Sequence, residues 1–286
     1  MKILFILCEG QHDAQFLYRL LCASGQYENP KWLVEDYPKP FPKFFETNFQ
    51  RQNVGSMIIG SPTAIHVPQV SLKHKEDDLL ILVYTLGGQN KVVFTKKLLK
   101  KIFNLLPHDD SEIALYSDQG ALNSYSLLFF FDADEEGREK TLSDFKKNYE
   151  DIFGNLNDLE VEKWVSKENV PLGVFIFTGD DGETGTLEDT LIHLFIEQNK
   201  DIVTDSFKLL DTYSDHKIDK VAQKAKRSKS ALTICGQAEK DRAGASLAIV
   251  VRHSKLLDNA FDFSDENTQW SRILTMINLS FFDEDG

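Results

Sequence analysis

Residues 124–140 read SYSLLFFFDADEEGREK. From Leu127 to Phe131 five apolar residues run without interruption, the pattern of a strand covered on both faces inside a parallel sheet. The run stops at Asp132, and Asp132-Ala133-Asp134-Glu135-Glu136-Gly137 forms a turn before a charged helix expected over roughly 138–152. Burial of the strand fixes the backbone, so the turn projects Asp132 and Asp134 from a single loop.

The same strand–turn–helix grammar recurs on both sides of this segment. Upstream, Leu79 to Tyr84 is a second apolar run ending at Leu86-Gly87-Gly88, with an amphipathic helix expected over Thr95 to Leu106. At the N-terminus, Ile3 to Cys8 leads into Glu9-Gly10, and Phe16, Leu17, Leu20 and Leu21 then fall at helical spacing. Downstream, Val174 to Phe177 reads as a fourth strand, after which TGDDGETGTLED (178–189) opens a helix near 187–198. Six of the eight prolines lie between residues 28 and 78. Proline fixes φ and removes a donor, so this stretch is expected to be an irregular insertion holding a short helix and a hairpin. Beyond about residue 200 the chain reads as mainly helical, with a Lys-rich segment at 217–229 and an acidic tail.

Strands alternating with helices predict an α/β fold: a mostly parallel central sheet flanked by helices, plus the insertion and a helical C-terminal part. The expected division is an α/β domain over 1–200, with its insertion at about 28–78, and a helical extension over 200–286 packed on it; a single domain is the alternative. Ligands of such sheets bind beyond the carboxyl ends of the strands. Glu9, Gly87-Gly88, Asp132 with Asp134, and Gly179 to Asp181 all fall at those ends, so several acids are expected at one edge.

Composition narrows the setting. The hydrophobic fraction is 42% and the charged fraction 27%, ordinary for a globular chain. The three cysteines, Cys8, Cys22 and Cys235, form no CxxC pair, which fits a reducing compartment. The N-terminal apolar run is too short for a signal peptide or a membrane span, so a cytoplasmic protein without membrane contact is expected. A net charge of −13 argues against a general nucleic-acid coat. It leaves room for a nuclease, whose metal-holding carboxylates belong to the chemistry. No GxxxxGK[ST] or HExxH pattern occurs, so neither a built-in ATPase nor zinc chemistry is expected.

Mg²⁺ is a hard ion that takes oxygen ligands and keeps several waters. Two carboxylates on one loop and a third from another strand suit it. A DxD alone is weak, since loop acids are commonly solvated. Glu9 adds weight, because a charge closing a buried strand is costly unless paired or coordinated. The bland reading makes Glu9 a surface acid and Asp13 a first-turn helix acid.

Three segments together, CEGQHDAQFL (8–17), VYTLGGQN (83–90) and FFFDADEEG (129–137), resemble the Toprim domain of topoisomerases, bacterial primases, recombination-repair proteins and OLD-type nucleases. The order and element types match over 1–27 and 79–150, more loosely over 172–235. The insertion at 28–78 departs from compact Toprim domains. The resemblance implies that Glu9 binds metal or relays a proton and that Asp132 and Asp134 bind Mg²⁺ or Mn²⁺. Within the family the chain is most similar to OLD-type and short Toprim-like defence nucleases. That likeness implies Asp13 and Glu188 as further metal ligands, with Glu183 less favoured, and Lys229 as a charge-stabilising catalytic lysine. It further implies DNA or RNA as substrate, a separately encoded ATPase as partner and a role against phage or plasmids. Helix N-terminal placement explains Glu188, and a solvated basic run explains Lys229, equally simply. His12 lies next to the proposed site, where it could shuttle protons, and otherwise reads as a surface histidine. Lys96, Lys97, Lys100 and Lys101, and Lys217, Lys220, Lys224, Lys226 and Arg227, form basic strips that either guide a nucleic-acid backbone or face solvent. A homo-oligomer is allowed. The rival readings are a non-catalytic module docking onto a partner protein and a small-molecule phosphohydrolase.

Overall fold

The apolar runs become the centre of one seven-stranded sheet in the computed structural model, which describes residues 1–48, 67–87, 91–104, 124–167, 170–213, 221–239 and 242–281. The strands are β1 (Lys2–Cys8), β2 (Tyr27–Glu28), β3 (Val70–His74), β4 (Leu79–Thr85), β5 (Ser124–Asp132), β6 (Trp164–Lys167) and β7 (Val170–Phe177). Their spatial order is β2-β3-β4-β1-β5-β7-β6. The inner four, β4-β1-β5-β7, are parallel, and the flanking pairings are antiparallel. The expected mixed α/β architecture with a mostly parallel sheet is therefore the observed one.

The helices are α1 (Gln11–Ala23), α2 (Phe41–Asn48), α3 (Lys91–Phe103), α4 (Arg138–Phe153), α5 (Leu187–Tyr213), α6 (Val221–Gln237), α7 (Leu247–His253) and α8 (Gln269–Asn278). Side chains alternate across a strand, and both faces of this sheet are buried. Ile3, Phe5, Leu7, Phe129 and Phe131 pack with α3 and α4 through Leu98, Leu99 and Phe145. Leu4, Ile6, Cys8, Leu128 and Phe130 pack with α1 and α5 through Phe16, Leu17, Leu191 and Leu194. Leu232 of α6, Val250 of α7 and Ile273 of α8 join that second core. The C-terminal helices thus share the core of the sheet. Trp164 Nε1 donates to Met276 O (3.0 Å), and Ser126 Oγ to Ser280 O (2.8 Å), tying the chain's last helix to the strands.

Several boundaries differ from the sequence expectation. The segment 28–78 does hold a short helix, α2, which supplies Phe41 and Phe45 to the first core, and an antiparallel strand, β3, which pairs with β2 and β4. Residues 49–66 of the insertion and most of the polar stretch at 107–124 lie outside the described residues. Strand β6 was not expected, and the helix placed near 187–198 continues to Tyr213 past a non-helical Asn199. Among the described residues no helix is long and apolar enough to cross a membrane.

In chain order the parallel strands are β1, β4, β5 and β7, but in space β4 lies on one side of β1 and β5 on the other. The sheet therefore changes direction of growth between β1 and β5, the switch point at which open α/β sheets bind ligands. Glu9 follows β1 there, and Asp132 ends β5.

Candidate active site

The turn after β5 is held by the loop after β7. Ala133 N donates to Phe177 O (2.9 Å), Asp134 N to Gly185 O (2.8 Å) and Gly185 N to Asp134 O (3.1 Å). Asp134 has φ 52° and Gly185 φ 120°, a conformation open to glycine but strained for other residues. A Cβ on Gly185 would also lie 2.4 Å from Gly179 N. The clamp delivers Leu187 N, at the start of α5, to Asp132 Oδ1 at 2.8 Å. Burial, reinforced by the charges of Asp13 and Glu188, pushes the Asp132 carboxyl well above the usual carboxylate range despite that bond.

Asp132 follows Leu128 and Phe130 in facing α1 and α5, where two more acids are buried. Asp13 is 4% exposed and Glu188 0% exposed. Gly10 N donates to Asp13 Oδ2 at 2.7 Å, which fixes the start of α1. His12 Nε2 lies 3.2 Å from Asp13 Oδ1 and 3.1 Å from Glu188 Oε1, and Lys229 Nζ lies 3.4 Å from the same Glu188 oxygen. These are ion-pair distances without hydrogen-bond alignment, for Asp13 Oδ1 and both Glu188 oxygens have no hydrogen-bond partner. Burial raises the Asp13 carboxyl, and His12 only partly offsets it. Burial also acts to raise Glu188, but His12 and Lys229 outweigh it and hold that carboxyl below its ordinary value. Burial acts to lower His12, yet Glu188 and Asp13 together raise it.

The opposite side of the same edge belongs to Glu9, which continues the Ile3-Phe5-Leu7 series toward α3 and α4. Lys91 Nζ, at the first residue of α3, meets Glu9 Oε1 at 2.6 Å and lies 5.9 Å from the Phe131 ring centroid. A cavity of about 200 Å³ opens there, lined by Glu9, Lys91, Phe131, Asp132 and Asp134, with Asn148 and Tyr149 of α4 behind them. The Asp134 carboxyl is raised by burial and by Glu9, against the pull of Lys91 and Lys229.

All six residues singled out in the sequence, Glu9, Asp13, Asp132, Asp134, Glu188 and Lys229, thus meet at the carboxyl edge of β1 and β5. Asp181 does not join them. Its carboxylate accepts from Glu183 N and Thr184 N (both 2.8 Å) and from Thr184 Oγ1 (2.6 Å), which lowers it to about 2. Glu183 is exposed. The basic strips are partly engaged, Lys96 with Asp151 (2.7 Å) and Lys224 with Asp189 (2.8 Å); Lys217 and Lys220 lie outside the described residues. Two members of the site were missed. His12 is 23% exposed and wedged between two acids, and its place next to a strand-end glutamate was the available signal. Lys91 could have been found by following the second apolar strand to the start of its helix. Among the described residues, no group of three or more His, Cys, Asp or Glu side chains is gathered closely enough to hold one ion directly. The acids are split across the two sides of the sheet edge, with His12, Lys91 and Lys229 among them.

No protein-family model matches this sequence, and no curated protein matches it significantly. Among solved structures, the chain is similar to a hypothetical protein from Pyrococcus horikoshii, with 14% identity, 97% of this chain and 95% of that chain covered, and a TM-score of 0.48.

Proposed function

We propose that this chain is a metal-dependent phosphodiester hydrolase of the Toprim type, acting on DNA or RNA with Mg²⁺ or Mn²⁺ at the β1/β5 edge. The observation that carries the reading is the convergence of two buried carboxylates, Asp13 and Glu188, with the half-buried Asp132, whose pKa their charges raise, a cluster only partly offset by His12 and Lys229. Buried charge of one sign is strongly unfavourable unless neutralised, and oxygen donors alone suit a hard divalent cation. An ion on the α1/α5 side would take one or two of Asp13, Asp132 and Glu188 as direct ligands, and one on the α3/α4 side would take Glu9 or Asp134, with water completing each shell. Because Mg²⁺ keeps much of its water and needs only one or two carboxylates, a loose set of acids fits it. A bound divalent ion supplies charge neutralisation at the phosphate and a more acidic water.

The chain's own residues supply the rest. Lys91 and Lys229 carry positive charge to the two sides of the acidic edge, where the non-bridging oxygens of a phosphodiester need it. His12, held between Asp13 and Glu188, places Nε2 beside the site, and the two acids raise its pKa. The Asp134–Gly185 clamp fixes both loops, so the acids are positioned before substrate arrives. The cytoplasm is the proposed setting, a separately encoded ATPase the proposed partner, and phage or plasmid exclusion the proposed role.

The test is cleavage of labelled DNA and RNA by the purified chain with Mg²⁺ or Mn²⁺, alone and with a neighbour-encoded ATPase. Cleavage that disappears in Asp132→Asn is the expected result. One observation favours a second reading, a docking module that cuts nothing: His12 and Lys229 already face Glu188, and Lys91 faces Glu9. A module of that kind keeps its partner binding in Asp132→Asn and shows no metal-dependent turnover.

A further inference from the structure

The far end of α1 meets the loop after α7 at a second cavity, of about 700 Å³, within the range of small-molecule sites, roughly 300–1,000 Å³. Leu257 and Phe261 back it from the core, and Tyr18 with the half-buried Cys22 lines one wall. Its rim carries Arg19, Arg252 and His253, with Asp258 opposite. In a chain of net charge −13, guanidinium groups gathered around one cavity stand out against the rest of the molecule.

Two arginines here have structural duties. Arg19 donates to Arg252 O (3.3 Å) and Ser254 O (3.2 Å) and pairs with Asp258. Arg242 Nη2 donates to His253 O at 2.8 Å. Both satisfy carbonyls left open where α7 ends. Arg252 differs. Its guanidinium lies 4.5 Å over the Tyr18 ring, and its Nη1 donates to the neutral Gln15 amide at 3.2 Å. Among the described residues it touches no carboxylate and has no ion-pair partner. Burial and then the charges of Arg252, Arg242 and Arg19 hold His253 below its ordinary value, so the neighbouring imidazole senses a positive field.

We propose that this cavity binds a small anion of the nucleoside-monophosphate class, with its phosphate on Arg252 and its ring against Cys22 and Phe261. The planar guanidinium fork matches a phosphate, and stacking on Tyr18 holds it in place before binding. A bare oxyanion would leave most of the roughly 700 Å³ unfilled, whereas a nucleoside monophosphate occupies it and meets its mixed polar and apolar lining. The carboxylate of Asp258 keeps Arg19 occupied, which directs the phosphate to Arg252. The proposal stands apart from the acidic edge and does not depend on metal binding there.

Cys22 provides the readout, since Cys8 and Cys235 are buried. Maleimide labelling of Cys22 in the full chain is measured against AMP, adenosine and inorganic phosphate. AMP is expected to slow labelling saturably, and adenosine and phosphate to protect less. Arg252→Met, which keeps an apolar stem over Tyr18, raises the half-protecting AMP concentration about tenfold or more, the usual loss for a charge-assisted hydrogen bond. Asp258→Asn frees Arg19 and lowers that concentration, a change opposite in sign to damage and therefore informative even if Arg252→Met folds poorly. Any of three results overturns the proposal: no protection by millimolar AMP, equal protection by adenosine, or equal protection in a folded Arg252→Met variant.

Discussion

Asp132 follows five uninterrupted apolar residues, Leu127 to Phe131, and is nevertheless an acid. Burial, Asp13 and Glu188 raise its pKa, so its ionised form weighs against folding until a cation neutralises it. Asp132→Asn keeps an oxygen for Leu187 N and removes the charge. The metal-free variant is therefore expected to melt higher than wild type, by roughly 3 °C, on the order of 1 kcal/mol, and to lose any gain on adding Mg²⁺. A lower melting temperature in scanning calorimetry would refute this. The pH dependence follows from the directions of the shifts. Asp13 and Asp132 have raised folded values, so the folded protein keeps protons the unfolded chain has released, and stability falls as pH rises through those values. His12 is also raised; its contribution is full below the unfolded value, about 6.5, and is lost as pH rises through the folded one. Glu188 is lowered, and its contribution is lost only in acid. His12→Ala is thus expected to lower the melting temperature more at about pH 6 than at about pH 8; equal losses at both would contradict the pairing with Glu188 and Asp13.

At the level of elements, the site depends on two loops locked together by the Asp134–Gly185 backbone pair. Gly185→Ala forces a Cβ against Gly179 N at a positive φ. The expected cost is about 2–4 kcal/mol, read as a fall in the urea midpoint, accompanied by weaker Mg²⁺ binding. Wild-type stability in this variant would mean that the clamp does not hold the site. These elements were unequally legible in the sequence. Strands β1, β4, β5 and β7 are buried on both faces, so they stand out as unbroken apolar runs ended by Glu9, Gly87, Asp132 and Gly179. Strands β3 and β6 are short and lie outside the parallel centre: Lys73 and His74, or Ser166 and Lys167, face partly outward, and no continuous run marks them. Glu9 and Asp132 were readable from the strand ends. His12 was not, because whether a helix's first turn faces solvent or α5 depends on a partner more than a hundred residues away. The pairing of Glu9 with Lys91 joins two elements distant in the chain and was equally hidden.

Across the whole molecule, the sheet needs its C-terminal helices. Leu232, Val250, Ile273 and Ile277 fill the same core as β1 and β5, and Tyr27 OH donates to Asn278 Oδ1 at 2.7 Å. The expected boundary at residue 200 falls inside α5, next to its kink at Asn199, within a shared core. A chain ended at Lys200 uncovers that core and is expected to aggregate or to lose its cooperative melt; a soluble, cooperatively melting 1–200 fragment would show an independent domain. The same architecture delivers one acid from each side of the switch point, Glu9 from β1 and Asp132 from β5, and metal binding at this sheet edge is the central claim. The direct test is calorimetric titration of the full chain with Mg²⁺ and Mn²⁺, comparing wild type with a Glu9→Ala, Asp132→Ala double variant. Saturable binding to wild type that vanishes in the folded double variant is the predicted result. Absence of binding to folded wild type, with an oligonucleotide present as well as without it, would contradict the metal-dependent reading and leave the docking module in its place.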